Sequence, residues 1–235
     1  PLTKWNYDQA GIVCTINHDR HHKFIAHEKF LPSGPFAILP LKGDPGDAGN
    51  RSSLVWTERK DLMPTIMNLD AEAFLGEVHE RFGKFLGRVE LAGPRYSFPL
   101  ALQFASKLTD CRVVLVGDAA YAMHPIAGQG LNMGLRDVAA LAEILFESSR
   151  LGLDLGDELV LQRYAKWRRF DSTLMLAATD GLNRLFSNDF GPLRTARGIG
   201  LAAVNRLPPL KRLFMRHAMG LMGDVPRLLQ GKPLF

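Results

Sequence analysis

The stretch VVLVGDAAYAMHPIAGQGLNMGLRD, residues 113–137, runs from an apolar strand-like segment straight into Gly117-Asp118, then through a Gly/Pro loop into a helical repeat. Each part has a physical reading. Gly117 lets the backbone approach a ligand closely, and Asp118 sits at the carboxyl end of a strand, where α/β folds hold ligands. Its carboxylate accepts hydrogen bonds from sugar or polyol hydroxyls. The loop from Pro125 through Gly128 and Gln129 to Gly130, Leu131 and Asn132 opens a helix whose free N–H groups and dipole face the same crevice. The ligand class is therefore anionic or electron-accepting. A Gly-Asp pair alone is a common turn, but Pro125, Gly128, Gly130 and Asn132 in this order form a specific pattern.

Working outward, residues 130–147 repeat Leu131, Leu135, Val138, Leu141 and Leu145 at helical spacing. Upstream, Gly11–Ile16, Lys23–Leu31, Pro35–Leu41 and Arg51–Arg59 read as strands separated by turn residues, which predicts antiparallel hairpins. Leu69 to Leu86 reads as an amphipathic helix covering that sheet, with Asp70 as its N-cap. Residues 95–100 read as extended, and 112–116 as a buried strand. Beyond Gly156 the chain reads as helices broken at Gly191-Pro192 and Pro208-Pro209. The fold class is α+β or α/β. The expected divisions are 1–110 (antiparallel sheet with a covering helix), 111–157 (strand, loop and helix) and 158–235 (basic helices).

With 235 residues, 46% hydrophobic and 23% charged, the chain can bury a sizeable core, which excludes a disordered or collagen-like chain. Cys14 and Cys111 are too few for a disulfide framework and lack zinc-site spacing, so a reducing, cytoplasmic setting is expected. The net charge of +5 is uneven: residues 158–235 carry thirteen Lys and Arg against five acids, a local +8, which leaves −3 before them. Such a tail suits an anionic membrane surface, an acidic partner or simply a solvated helix face. Nothing reads as an apolar span of about 18 residues, so any membrane contact is expected to be peripheral, at the inner face. Nucleic acid is not an expected partner. His18, His21, His22 and His27 read as a surface hairpin rather than a metal site, and His124 as a packing or orienting group. Arg136 and Asp137 read as helix-face pairs.

The 113–137 stretch resembles the second FAD-binding motif of flavin-dependent aromatic hydroxylases of the p-hydroxybenzoate hydroxylase fold, most closely their ubiquinone-biosynthesis branch. The segments RYSFPL (95–100) and EKFLPSGPFAILPL (28–41), and the run of Tyr164, Arg168, Asp180-Gly-Leu and Leu185-Phe-Ser187, resemble that branch too. The resemblance implies FAD as cofactor, NAD(P)H as electron donor and a polyprenyl phenol as substrate, with a multi-enzyme assembly as a further expectation. Gly117 and Asp118 would meet the FAD ribityl chain, and Gly128, Gln129, Gly130, Leu131 and Asn132 the flavin pyrimidine edge. Pro125 would shape the wall between flavin and substrate. Phe36, Leu39, Trp56, Phe98 and Leu100 would line the substrate cavity.

Tyr121 departs from the family, where many members have His, and reads as a tolerated change. No Gly-x-Gly-x-x-Gly loop follows a strand to hold the FAD pyrophosphate; Gly198-Ile-Gly200 meets only the loose pattern. The chain therefore reads as the C-terminal portion of a longer protein. Two alternatives stay open: a substrate-binding or assembly module inactive by itself, and another hydroxylase or reductase of the same fold.

Overall fold

The computed structural model describes residues 1–43, 49–125, 128–187, 191–219 and 223–235. The glycine-containing loop at 44–48 thus lies outside the described residues, as do Ile126 and Ala127 of the motif. The chain divides into two compact units. One comprises Asn6–Leu100 with Arg184–Asp189, and the other Pro1–Trp5, Ala101–Asn183 and Phe190–Phe235.

The first unit is built on β1 (Leu2–His18), whose first residues belong to the other unit, with β2 (His27–Leu31), β3 (Gly34–Pro40), β4 (Arg51–Arg59) and β5 (Val89–Leu91). The strands run antiparallel in the order β2-β3-β4-β1, and β5 pairs with Ile16–His18 of β1. Register explains the core. Ile12 faces Trp56, Cys14 faces Leu54, and Phe36 faces Trp56, so alternate residues of three strands gather on one side of the sheet.

Two helices cover that side: α1 (Met63–Met67) and α2 (Ala71–Phe82). Met63, Ile66, Phe74 and Val78 from these helices join the strand residues in one cluster. Trp56 lies 5.7 Å from both Phe36 and Phe74, and Phe82 stacks on Phe36 at 5.5 Å. Above the Trp56 ring, 4.3 Å away, sits the Arg81 guanidinium, which also pairs with Glu77 and with buried Glu58. The α2 N-cap is the expected one, since the Asp70 carboxylate accepts from the Ala73 N–H at 2.8 Å. Burial raises the Cys14 thiol to about 11, partly offset by Arg95, so it behaves as a core residue.

Two sequence expectations need correction here. Phe36 and Trp56, expected to line a substrate cavity, are fully buried in the helix-covered core. Strand periodicity identifies which residues share a face but not which face a helix covers. His18 and His22 are buried rather than on a surface hairpin. His18 bonds the Ser52 hydroxyl through Nε2 at 2.9 Å and the Arg20 carbonyl through Nδ1, while His22 bonds the Leu41 carbonyl and accepts from the Phe24 N–H.

In the second unit, the end of β6 (Tyr96–Ala105) pairs with β9 (Tyr121–Ala122), and β7 (Thr109–Asp110) pairs with β8 (Val113–Val114). Here too the structure differs from the reading. The 112–116 run forms only a two-residue strand, and Val113 is 54% exposed, because among the described residues β7 is the strand that pairs with it. The helices are α3 (Gly130–Arg150), α4 (Glu158–Phe186, whose last three residues belong to the first unit), α5 (Gly191–Arg206) and α6 (Pro208–Ala218), broken where Gly191-Pro192 and Pro208-Pro209 predict. Ala140 and Ile144 of α3 pack with Val160 and Tyr164 of α4. The strand, loop and first two helices thus share one unit, whereas the sequence divides them at residues 110 and 157.

Trp56→Ala should lower unfolding free energy by about 3–5 kcal/mol, and Phe98→Ala, at an exposed site, by under about 0.5 kcal/mol. Denaturant unfolding of both variants distinguishes the core residue from the surface one.

Candidate functional site

Gly117–Ala119 forms a single 3-10 turn after β8 and Leu115-Val116. Gly117 has φ +57°, in the left-handed region that favours glycine, and its backbone approaches that of Gly134 so closely that an added Cβ would lie 3.5 Å from the Gly134 Cα. The turn is thereby pressed against the first turns of α3.

The contact is held by an acid inside the helix interface. Asp137 of α3 is fully buried. Its Oδ2 accepts from the Gly117 N–H at 3.0 Å and from the Tyr121 hydroxyl at 2.5 Å. Its Oδ1 accepts from Arg168 Nε of α4 at 2.6 Å. Arg168 has no exposed side-chain surface either, and its Nη1 donates to Asp171 at 2.8 Å, which also lies 3.3 Å from Arg136 Nε. One turn earlier on α4, the Tyr164 hydroxyl donates to the Leu115 carbonyl at 3.1 Å. Two helices therefore grip the backbone of residues 115–117.

The electrostatics follow from burial and pairing. Burial alone would lower the Arg168 pKa, but the hydrogen bond and charge of Asp137 outweigh it and hold the guanidinium above its ordinary value. The Tyr121 phenol is pushed far up by burial and by the Asp137 carboxylate, so it stays protonated as a donor. Burial is the first cause for Tyr164 as well, again upward. His124, also buried, is driven down to about 4 by desolvation, with Asp180 opposing, so it is neutral at physiological pH.

Asp118, one residue from this clamp, is the opposite case. It is exposed, and among the described residues its carboxylate has no hydrogen-bond or ion-pair partner. At the α3 N-terminus, among the described residues, Gln129 occupies the N-cap without a side-chain cap hydrogen bond, no acid lies in the first turn, and Leu131 and Asn132 are exposed. Gly128, at φ +60°, turns the chain into the helix, its N–H donating to the Pro125 carbonyl at 2.9 Å. Among the described residues, an unpartnered acceptor on a turn packed against α3 and backbone donors without a side-chain cap at the start of that helix suit a ligand with polyol hydroxyls and an electron-accepting or anionic group. The large groove of this unit, about 1810 Å³, lies elsewhere: it borders Phe104, Leu108, Tyr121, Leu159 and Phe170 and includes neither Asp118 nor the α3 N-terminus.

Of the residues expected to meet substrate, Leu39 and Phe98 are exposed and Leu100 is half-buried with its Cδ2 beside Gly11, while Phe36 and Trp56 are in the core. Asp137, Tyr121, Arg168 and Tyr164 form the site although the sequence reading does not single them out for it. A signal existed for two of them. Asp137 interrupts the buried stripe Met133, Ala140, Ile144, and Arg168 the stripe Val160, Tyr164, Ser172, Leu176. Tyr121 is thus an anchoring residue, not merely a tolerated change.

Comparison with known proteins decides the family. The model of an FAD binding domain matches residues 16–171. The chain belongs to this FAD binding domain family. It is 55% identical over 231 residues to the ubiquinone hydroxylase UbiL of Rhodospirillum rubrum, a match that covers 97% of this chain and 52% of UbiL. It is 35% identical over 249 residues to the human mitochondrial ubiquinone biosynthesis monooxygenase COQ6, covering 91% of this chain and 52% of COQ6. The chain therefore spans about half the length of these curated relatives. Among solved structures, p-nitrophenol 4-monooxygenase PnpA of Pseudomonas putida is similar, with a TM-score of 0.70 at 19% identity, over 93% of this chain and 55% of PnpA. That likeness concerns the fold, which is the p-hydroxybenzoate hydroxylase type expected from the sequence.

Asp137→Ala strands a buried guanidinium and should destabilise the protein by about 3–5 kcal/mol, whereas Asp118→Ala should change stability by under about 0.5 kcal/mol. Urea midpoints of the two variants test the division between clamp and ligand carboxylate. Since folding lowers the His124 pKa from 6.5 to about 4, the unfolded chain binds the extra proton across that interval. Stability should fall as pH drops from 6.5 toward 4, and His124→Phe should flatten that part of the profile in pH-dependent unfolding.

Proposed function

We propose that this chain is the flavin-edge and substrate half of an FAD-dependent monooxygenase that hydroxylates the ring of a polyprenyl phenol in ubiquinone biosynthesis, with NAD(P)H and O2 as co-substrates. The observation that carries the reading is the uncommitted Asp118 carboxylate, held at a fixed turn beside an open helix N-terminus. The 55% identity with UbiL, over 97% of this chain, supports the substrate class.

The residues fit FAD in part. Asp118 would accept hydrogen bonds from the ribityl hydroxyls, and the N–H groups of Gly130, Leu131 and Asn132 would lie at the pyrimidine edge, with Gly128 and Gln129 leading into them. The dipole of α3 favours negative charge there, the electrostatic role of an oxyanion hole. Bound FAD would supply the redox and oxygen-transfer chemistry. The protein's own part is to position the ring, to shape the wall at Pro125 and to exclude water. Leu39, Phe98 and Leu100 remain the apolar candidates for the prenylated ring. No strand-linked glycine loop for the pyrophosphate lies in the sequence, so the reading assigns that function to the half of the relatives' length that this chain does not span.

A polyprenyl phenol partitions into lipid, so peripheral contact with the inner face of a membrane, and handover within a multi-enzyme assembly, belong to the same reading. That half-length coverage also favours a second reading, in which this chain alone acts as a substrate-binding or assembly module.

In the full-length protein, Asp118→Ala should weaken FAD binding about tenfold to a hundredfold, the range for a hydrogen bond to a charged acceptor. An FAD titration followed by flavin fluorescence measures it; undiminished affinity would remove Asp118 from the site.

A further inference from the structure

The stretch 190–223 contains Arg194, Arg197, Arg206, Lys211, Arg212 and Arg216 and not one Asp or Glu, in a chain with 24 acids. Its second helix, α6, is amphipathic. Leu210, Leu213 and Phe214, with Leu207 immediately before the helix, recur at intervals of three and four and share one side, with Arg212 and Arg216 on the other and Lys211 at the flank. The apolar side is not packed away: Leu213 is 48% and Phe214 55% exposed, and Leu207, Met215 and Met219 are exposed as well. Among the described residues, Arg206, Arg212 and Arg216 have no ion-pair partner, and Lys211 donates only to Asn205. No described helix is long and apolar enough to cross a membrane.

We propose that α6 is a surface-lying membrane-docking helix that seats Leu207, Leu213 and Phe214 among the acyl chains of an anionic bilayer while Lys211, Arg212 and Arg216 engage the headgroups. The inference rests on the peripheral membrane contact proposed above and names its surface and lipid class. Charge and shape favour lipid over an acidic protein. Three bases border the apolar row within a single eleven-residue helix, in a stretch from 190 to 223 without an acid, so the surface presents cations of one sign to a plane of anionic headgroups. Large apolar side chains combined with cations of one sign are what the headgroup boundary accommodates, because the long basic side chains reach outward while their stems stay in the apolar layer. The contact would hold a lipid-soluble substrate near the protein without a spanning segment.

The test is co-sedimentation of the full-length protein with vesicles of phosphatidylcholine mixed with phosphatidylglycerol, against pure phosphatidylcholine vesicles, with bound flavin measured on the same samples. Binding should require phosphatidylglycerol and weaken as salt rises. Arg212→Gln with Arg216→Gln should weaken it roughly fivefold per base removed. Leu213→Asp with Phe214→Asp should abolish it while helix content by circular dichroism and flavin retention stay unchanged. Equal binding to neutral vesicles, no binding at low salt, or binding indifferent to both double variants would each overturn the proposal. So would concentration-dependent dimerisation, sensitive to Leu213→Asp and Phe214→Asp and without vesicle binding, since the apolar side would then face a second copy. Lost flavin with vesicle binding intact would instead fault the flavin reading and leave this one standing.

Discussion

A single buried ion pair organises the unit that carries the candidate site. Asp137 and Arg168 meet with no solvent-exposed side-chain surface on either, and the second carboxylate oxygen is spent on the Gly117 N–H and the Tyr121 hydroxyl. Two charges taken out of water are a poor source of net stability, because desolvation offsets most of their attraction. Their value lies in geometry. The carboxylate satisfies three donors from three parts of the chain, so the turn at Gly117, the strand at Tyr121 and helix α4 cannot shift independently without leaving a buried charge unpaired. Tyr164, bonded to the Leu115 carbonyl, adds a second tie from α4.

This clamp explains how Asp118 can remain exposed and uncommitted without the turn collapsing onto it. Two aspartates nineteen residues apart divide the labour: Asp137 fixes the backbone, and Asp118 is left to meet a ligand. The high pKa of Tyr121 keeps its proton in place for Asp137. Preorganisation of this kind lowers the ordering penalty when a ligand arrives.

Much of this architecture is legible in the sequence, and the limits are physical. The β4 bounds, the Asp70 cap and the helix breaks at Gly191 and Pro208 come from local rules of propensity, capping and turn chemistry, and the structure shows them where those rules put them. Asp118 is legible because Gly-Asp followed by the Pro125–Asn132 pattern is local as well. Asp137 and Arg168 lie 31 residues apart on separate helices, and only packing reveals that each is the other's partner. Phe36 and Trp56 failed for a related reason. Their strands are legible, but burial depends on which side of the sheet α2 covers, and residue alternation carries no such information. The start of β1 is not legible, because Leu2–Gln9 mixes polar and aromatic residues without a clean two-residue period.

Held by Asp137, the Gly117 turn is rigid before any ligand binds. Amide hydrogen exchange across residues 115–122 without FAD tests this most directly. The clamp predicts that the Gly117 N–H exchanges only through large-scale unfolding, with protection comparable to core amides of α3. Exchange at Gly117 as fast as in an exposed loop, with α3 still protected, would mean that Asp137 does not hold the turn and that the site forms only when its ligand arrives.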